Sequence, residues 1–173
     1  MCLIVGCILH IISFFLYLLY QVVILQNVVL FHTAFCLLYV GYLLVLPVET
    51  NPVALMGIGF LMGFTVDMFY DSLGLHSLAC VLIMYLRNYW LNNLTPQGGY
   101  DSNDTPSLAL NGIQWFVVYA APLVFLHHSV LFFAEAGGFD MFWFTTVKIL
   151  ASTLFTMLVI LIAQFLFPSR RQR

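Results

Sequence analysis

Six apolar runs separated by short polar breaks make up most of this chain, and they constrain it to a bundle of membrane-crossing helices. The runs cover residues 2–25, 31–47, 52–70, 74–91, 112–134 and 141–167. A bilayer-spanning helix needs about 20 apolar residues, so 173 residues accommodate six spans with no room for a separate soluble domain. The composition agrees: 63% of residues are hydrophobic and only 7% charged, whereas soluble domains carry about 25% charge. A soluble fold of this size has too little interior to hide so much apolar surface. The runs lack strict in–out alternation, which excludes β-barrel strands. The expected fold class is therefore all-α: one integral membrane domain over residues 1–173 with about six transmembrane helices.

The breaks are of several kinds. Gln26-Asn27, with His32 just beyond, separates the first two runs. The turn PVETNP uses Pro47 and Pro52 as helix punctuation. Residues 71–74 divide the third run from the fourth, and Ala136-Gly137-Gly138 the fifth from the sixth. The only long polar loop is residues 92–111. Its two Asn-x-Thr triplets, at Asn93 and Asn103, match the glycosylation pattern. The start lacks the basic region and cleavage pattern of a signal peptide and reads as a retained first helix. No internal repeat is present.

Orientation follows from Lys and Arg near the ends of spans. Six spans put both termini on one side with residues 92–111. That side collects Arg87, Arg170, Arg171 and Arg173; the other has Lys148. The loop and the basic tail, residues 168–173, are thus expected in the cytoplasm. The tail also suits lipid headgroups. A net charge of −2 gives no electrostatic reason to expect nucleic acid.

Polar residues inside the runs are the candidates for function. Gly59, Gly63 and Asp67 are spaced by four and share one helix face. The glycines let another helix approach closely, and Asp67 then faces the same seam. A charged aspartate at mid-bilayer costs about 2.5–3.5 kcal/mol, to be offset by helix amides, water or a partner side chain. Asp71 falls just past the helix end, near Gly74. The bland reading makes Asp67 a satisfied packing group and Asp71 a loop acid. On that reading Asp67→Asn is expected to cost little and Asp67→Leu more. An intramembrane aspartyl protease needs its acids on facing helices, which this spacing does not provide. Ion or proton coupling through Asp67, or a protein–protein interface centred on it, are the further readings.

His10, His32, His76, His127 and His128 have no i,i+4 pair within one run, and adjacent His127 and His128 diverge by about 100° on a helix. They read as individually satisfied histidines, with no metal site and no cofactor. Cys2, Cys7, Cys36 and Cys80 show no CxxC spacing and read as small apolar residues. Lys148 and Glu135 bracket the Gly137-Gly138 turn and are placed to pair with Asp67 or Asp140. No nucleophile, phosphate-loop or dinucleotide motif occurs.

The string GFLMGFTVDMFYDSLGLHSLACVLIMYLR, from Gly59 to Arg87, resembles the central signature of the rod shape-determining protein MreD family. There a glycine-rich helix ends in an aspartate, followed by a short turn and a helix ending in Tyr-Leu-Arg. QVVILQNVVLF, LLVLPVETNP and APLVFLHHSVLFFAE resemble further pieces of that family, in the same order, over nearly the whole chain. The sequence departs from the pattern at His32-Thr33-Ala34-Phe35, where proline and more polar residues are expected. The resemblance implies a fold similar to the substrate-binding subunit of energy-coupling-factor transporters. It also implies a non-enzymatic scaffold in the bacterial inner membrane, serving cell shape and lateral wall elongation. The implied partners are MreC, MreB, the wall synthases and membrane lipid. Gly59, Gly63, Asp67, Asp71, Gly74, His76 and Arg87 are the interface and packing candidates within the matching signature. The competing function is a small-molecule uptake subunit, for which Asp67, His76, Lys148 and Glu135 are available to line a polar pocket.

Overall fold

In the computed structural model, residues 2–30, 33–95, 99 and 105–168 are described, with the backbone alone for residues 2–7. The basic tail residues Arg170, Arg171 and Arg173, and also His32 and Asn103, lie outside the described residues. The chain is mostly helical: α1 (Cys2–Val23), α2 (Tyr39–Leu44), α3 (Pro52–Tyr70), α4 (Leu75–Asn93), α5 (Leu108–Asn111), α6 (Ile113–Glu135) and α7 (Phe142–Leu166). Between α1 and α2 a 3-10 turn at Leu25–Asn27 leads into a two-stranded antiparallel ladder, β1 (Val29–Leu30) and β2 (Ala34–Phe35). Its register pairs Val29 with Phe35 and Leu30 with Ala34.

Among the described residues, four stretches are long and apolar enough to cross a membrane: Ile8–Asn27, Pro52–Tyr70, Ile113–Glu135 and Phe142–Leu166. Helix α4 has the same 19-residue length as α3. Near 1.5 Å per residue it reaches about 29 Å, but His76, Arg87 and three asparagines make it the more polar of the two.

Local chemistry explains the α3 boundaries. Asn51 caps its start by accepting the Val53 N–H at 2.8 Å, and Pro52 occupies the first turn, where no N–H is needed. At its other end Asp71 adopts the left-handed conformation, φ 56°, that closes many helices.

Residues 31–47, expected as a second membrane helix, do not form one. Among the described residues of that run, only Tyr39–Leu44 is helical, and Ala34–Phe35 is extended. Cys36 through Leu44 are buried on every side. An apolar run enclosed by protein has the same composition as a helix bathed in lipid, so hydrophobicity alone does not separate the two. Around this strap, α4 packs against α3 on one flank and α6 on the other, α6 packs against α7, and β2 against α7. Helix α1 lies at the periphery with the smallest buried share of the four apolar stretches.

Candidate functional site: a carboxylate cap and a buried strap

Helix α4 begins at Gly74, which has no side chain to cap it and sits at φ 91°. Its first amides are therefore without intrahelical partners. Asp67, on α3, supplies what is missing. Its Oδ1 accepts the His76 N–H at 2.9 Å and the Ser72 hydroxyl at 2.6 Å. Its Oδ2 accepts the Ser77 N–H at 2.9 Å and the Ser77 hydroxyl at 2.7 Å. A carboxylate at a helix N-terminus also meets the positive end of the helix dipole, and hydrogen bonds to an ion are the stronger kind. The His76 ring completes the cluster with Nδ1 at 3.4 Å from Oδ1.

The glycines one and two turns earlier make this reach available. A Cβ on Gly63 would lie 2.5 Å from the Ser77 Cα and 2.6 Å from its N, so α4 rests on bare α3 backbone there. At Gly59 the nearest atom would be the Met84 Cγ, at 2.8 Å. The seam predicted from Gly59, Gly63 and Asp67 is thus an internal one, filled by α4 of the same chain. This is the packing reading of Asp67, not the reading that centres a protein–protein interface on it. The hydrogen bonding corrects the expectation that an amide replaces Asp67 cheaply. All four hydrogen-bonded partners donate, and an Asn side chain must turn its NH₂ toward two of them. Asp71 is exposed on the turn, away from this cluster.

The second constellation holds the strap. Side chains from four surrounding helices take up its free backbone polar groups. The Phe35 N–H donates to the Ser152 hydroxyl at 3.0 Å and the Leu37 N–H to the Thr156 hydroxyl at 3.1 Å, both on α7. Gln21 on α1 donates to the Cys36 carbonyl at 3.0 Å and to the Tyr70 hydroxyl at 2.8 Å. At the far end Tyr119 on α6 donates to the Leu44 carbonyl at 2.8 Å. Arg87 on α4 donates from Nε to the Tyr119 hydroxyl at 2.9 Å and from Nη2 to the Leu46 and Leu44 carbonyls. Gly41 lets the strap lie against α7, since a Cβ there would come within 2.9 Å of Ile160 Cγ1.

Arg87 is therefore not a loop charge. Its side chain is wholly buried, its acceptors are neutral, and among the described residues Nη1 has no hydrogen-bond partner. The count that oriented the chain loses this residue, because proximity to a helix end does not reveal burial.

The paired histidines join the same core. His127 Nε2 lies 3.1 Å from the Tyr39 hydroxyl, while its Nδ1 has no hydrogen-bond partner among the described residues. His128 donates from Nδ1 to the Val124 carbonyl at 2.8 Å, which leaves Nε2 to accept from Thr156 at 3.2 Å. Among the described residues no group of three or more His, Cys, Asp or Glu is placed to hold a metal ion. Lys148 pairs with Glu135 at 2.7 Å rather than with Asp67 or Asp140, as α6 and α7 bring these two together across the Gly137-Gly138 turn. Its ammonium also lies over the rings of Phe132 and Phe35, 4.2 and 4.8 Å from their centres. Beside this pair is a cavity of about 120 Å³ whose wall includes His76, Ser72 and Tyr70.

Reasoning from the sequence overlooked Gln21, Tyr119, Ser152 and Thr156. The available signal was isolated polar residues in apolar runs, with Ser152 and Thr156 four apart on one helix face. Comparison with known proteins adds no family: no protein-family model, curated protein or solved structure matches the chain.

Proposed function

We propose that this protein is a non-enzymatic membrane scaffold of the MreD type, binding the transmembrane helix of MreC in the bacterial inner membrane and serving lateral wall elongation with MreB and the wall synthases. One observation carries the reading. The interior polar groups (Asp67, Arg87, Gln21, Tyr119, Ser152 and Thr156) make hydrogen bonds within the chain itself. They stabilise a framework, while the outward helix faces present bulky apolar residues such as Phe15, Leu19, Leu154 and Phe165 to lipid or to another helix. Asp67 is spent as a helix cap and Asp71 is exposed, which argues against a facing catalytic pair.

The same observation supports six crossings. The strap meets Ser152 and Thr156 near its start and Arg87 and Tyr119 near its end. Irregular backbone is tolerated at membrane depth where protein buries it and satisfies its polar groups. With the strap and α4 added to the four apolar stretches, both termini and residues 92–111 fall in the cytoplasm. The arrangement is then of the kind found in energy-coupling-factor substrate-binding subunits. A second reading, small-molecule uptake, has the cavity beside Lys148 and Glu135 in its favour.

Co-expression with MreC tests the scaffold. Affinity purification of the chain is expected to recover MreC in a saturable complex, and the chain is expected to restore rod shape to cells lacking their own MreD. Purification without MreC, together with unrestored round cells at normal membrane levels, overturns it.

A further inference from the structure

The cavity between β2, the α3–α4 turn, α6 and α7 is lined by Ser72, His76, Glu135, Lys148, Phe35 and Phe132, with Tyr70 and leucines completing its wall. Its volume, about 120 Å³, approaches that of the cavity of about 150 Å³ that accommodates benzene in an apolar core. Three of its polar groups have hydrogen-bonding capacity left. Lys148 has three N–H donors and one hydrogen-bond acceptor, Glu135. The Glu135 carboxylate is half exposed and has further lone pairs. His76 is nearly buried, and its protonation pattern is set by its neighbours. Ser72 gives its proton to Asp67 across the 2.6 Å bond, so toward His76 Nδ1, at 3.3 Å, it accepts. Nδ1 therefore carries the hydrogen. Among the described residues Nε2 is left without a hydrogen-bond partner, an acceptor on a ring that lines the cavity.

We propose that this cavity binds a compact zwitterion: an ammonium and an anionic oxygen a few bonds apart, with an apolar part beside them. The Lys148–Glu135 pair sets opposite charges 2.7 Å apart at the cavity. An occupant that carries the same pair in reverse order neutralises both, whereas a simple cation meets Lys148 and a simple anion meets Glu135. The occupant's ammonium donates to Glu135 and His76 Nε2, and its anion accepts from Lys148. The phenylalanine and leucine walls take the apolar part. An α-amino acid and a phosphatidylethanolamine headgroup share this chemistry. The Lys148–Glu135 pair at the centre of the proposal makes none of the hydrogen bonds that hold the strap or cap α4.

The test is binding to the purified full chain. Radiolabelled L-leucine is titrated against the detergent-solubilised protein, with L-leucine amide and N-acetyl-leucine as the single-charge controls. In parallel, nanodiscs of mixed phosphatidylethanolamine and phosphatidylglycerol are examined by native mass spectrometry for retained lipid. Saturable leucine binding identifies a free ligand, and selective retention of phosphatidylethanolamine identifies a headgroup; either supports the proposal. Lys148→Met and Glu135→Gln are each expected to weaken the interaction about tenfold or more, with Leu154→Ala, on the exposed face of α7, unchanged. A thermal unfolding midpoint within error of the parent separates lost binding from lost folding. If neither source binds, if a single-charge control binds as tightly as leucine, or if both pair variants bind as the parent does, the proposal falls.

Discussion

The α3–α4 hairpin and the strap solve the same problem, polar groups withdrawn from water, at different ranges. In the hairpin every donor to Asp67 lies within ten residues of it. In the strap the partners of Phe35 and Leu37 lie 117 and 119 residues away, and Arg87 reaches carbonyls 41 and 43 residues away. The hairpin is closed by its own sequence, with a carboxylate at a helix N-terminus. The strap is irregular on its own and takes its shape from α1, α4, α6 and α7. The hairpin should therefore behave as one tight unit that fails abruptly, and the strap as a distributed set of contacts that fails by degrees.

Gly63→Leu should have the largest effect. The obstructing atoms are Ser77 and His76 backbone, which cannot rotate away, and overpacking costs about 1–3 kcal/mol or more. Folded protein recovered from membranes should fall on the order of tenfold, since about 1.4 kcal/mol is a factor of ten. Gly59→Ala should fall much less, because its nearest neighbour, Met84, is a flexible side chain and the closest backbone atom, the Cys80 carbonyl oxygen, is at 3.2 Å rather than 2.5 Å. Equal recovery of the two variants would break the idea of a backbone-tight hairpin.

Asp67 comes next. Asp67→Asn should lower the thermal midpoint and Asp67→Leu should lower it further, since the amide leaves two donors unpaired and leucine leaves four, each at a cost of about 1–3 kcal/mol. An Asn variant as stable as the parent would mean that the carboxylate is not the cap of α4.

The strap should yield to single changes more gently and more locally. Ser152→Ala should speed amide exchange at Phe35, and Thr156→Val at Leu37, each with a stability loss of about 1 kcal/mol. Unchanged exchange at those two amides would show that the hydroxyls do not hold the strap.

The same difference in range explains what was legible beforehand. Pro52 marks the start of α3 locally, and the Gly59, Gly63, Asp67 stripe has a fixed helical period and appears in the structure on one seam. The strap has no such mark. Residues 31–47 are as apolar as a lipid-facing helix, and the hydroxyls that let their backbone extend belong to a helix more than a hundred residues on. Arg87 was among the packing candidates, but its partners were not legible for a related reason: only the fold brings the Leu44 and Leu46 carbonyls to it. Lys148 found Glu135 rather than Asp67 because the turn between α6 and α7 is short.

The smallest effect should fall on Asp71. It is exposed and its left-handed backbone also suits Asn, so Asp71→Asn should change stability by less than about 0.5 kcal/mol. A loss as large as that of Asp67→Asn would mean that the two acids act together after all.

The most direct test asks whether the strap crosses the membrane. Asn27 and Glu49 flank it and are both exposed. In a background with the four native cysteines replaced, Asn27→Cys and Glu49→Cys are each treated in intact cells with a membrane-impermeant maleimide. A crossing strap predicts labelling at position 27 from outside, and at position 49 only after the cells are permeabilised. Labelling of both positions from the same side would contradict it, turning the strap into a re-entrant segment and removing the six-crossing arrangement.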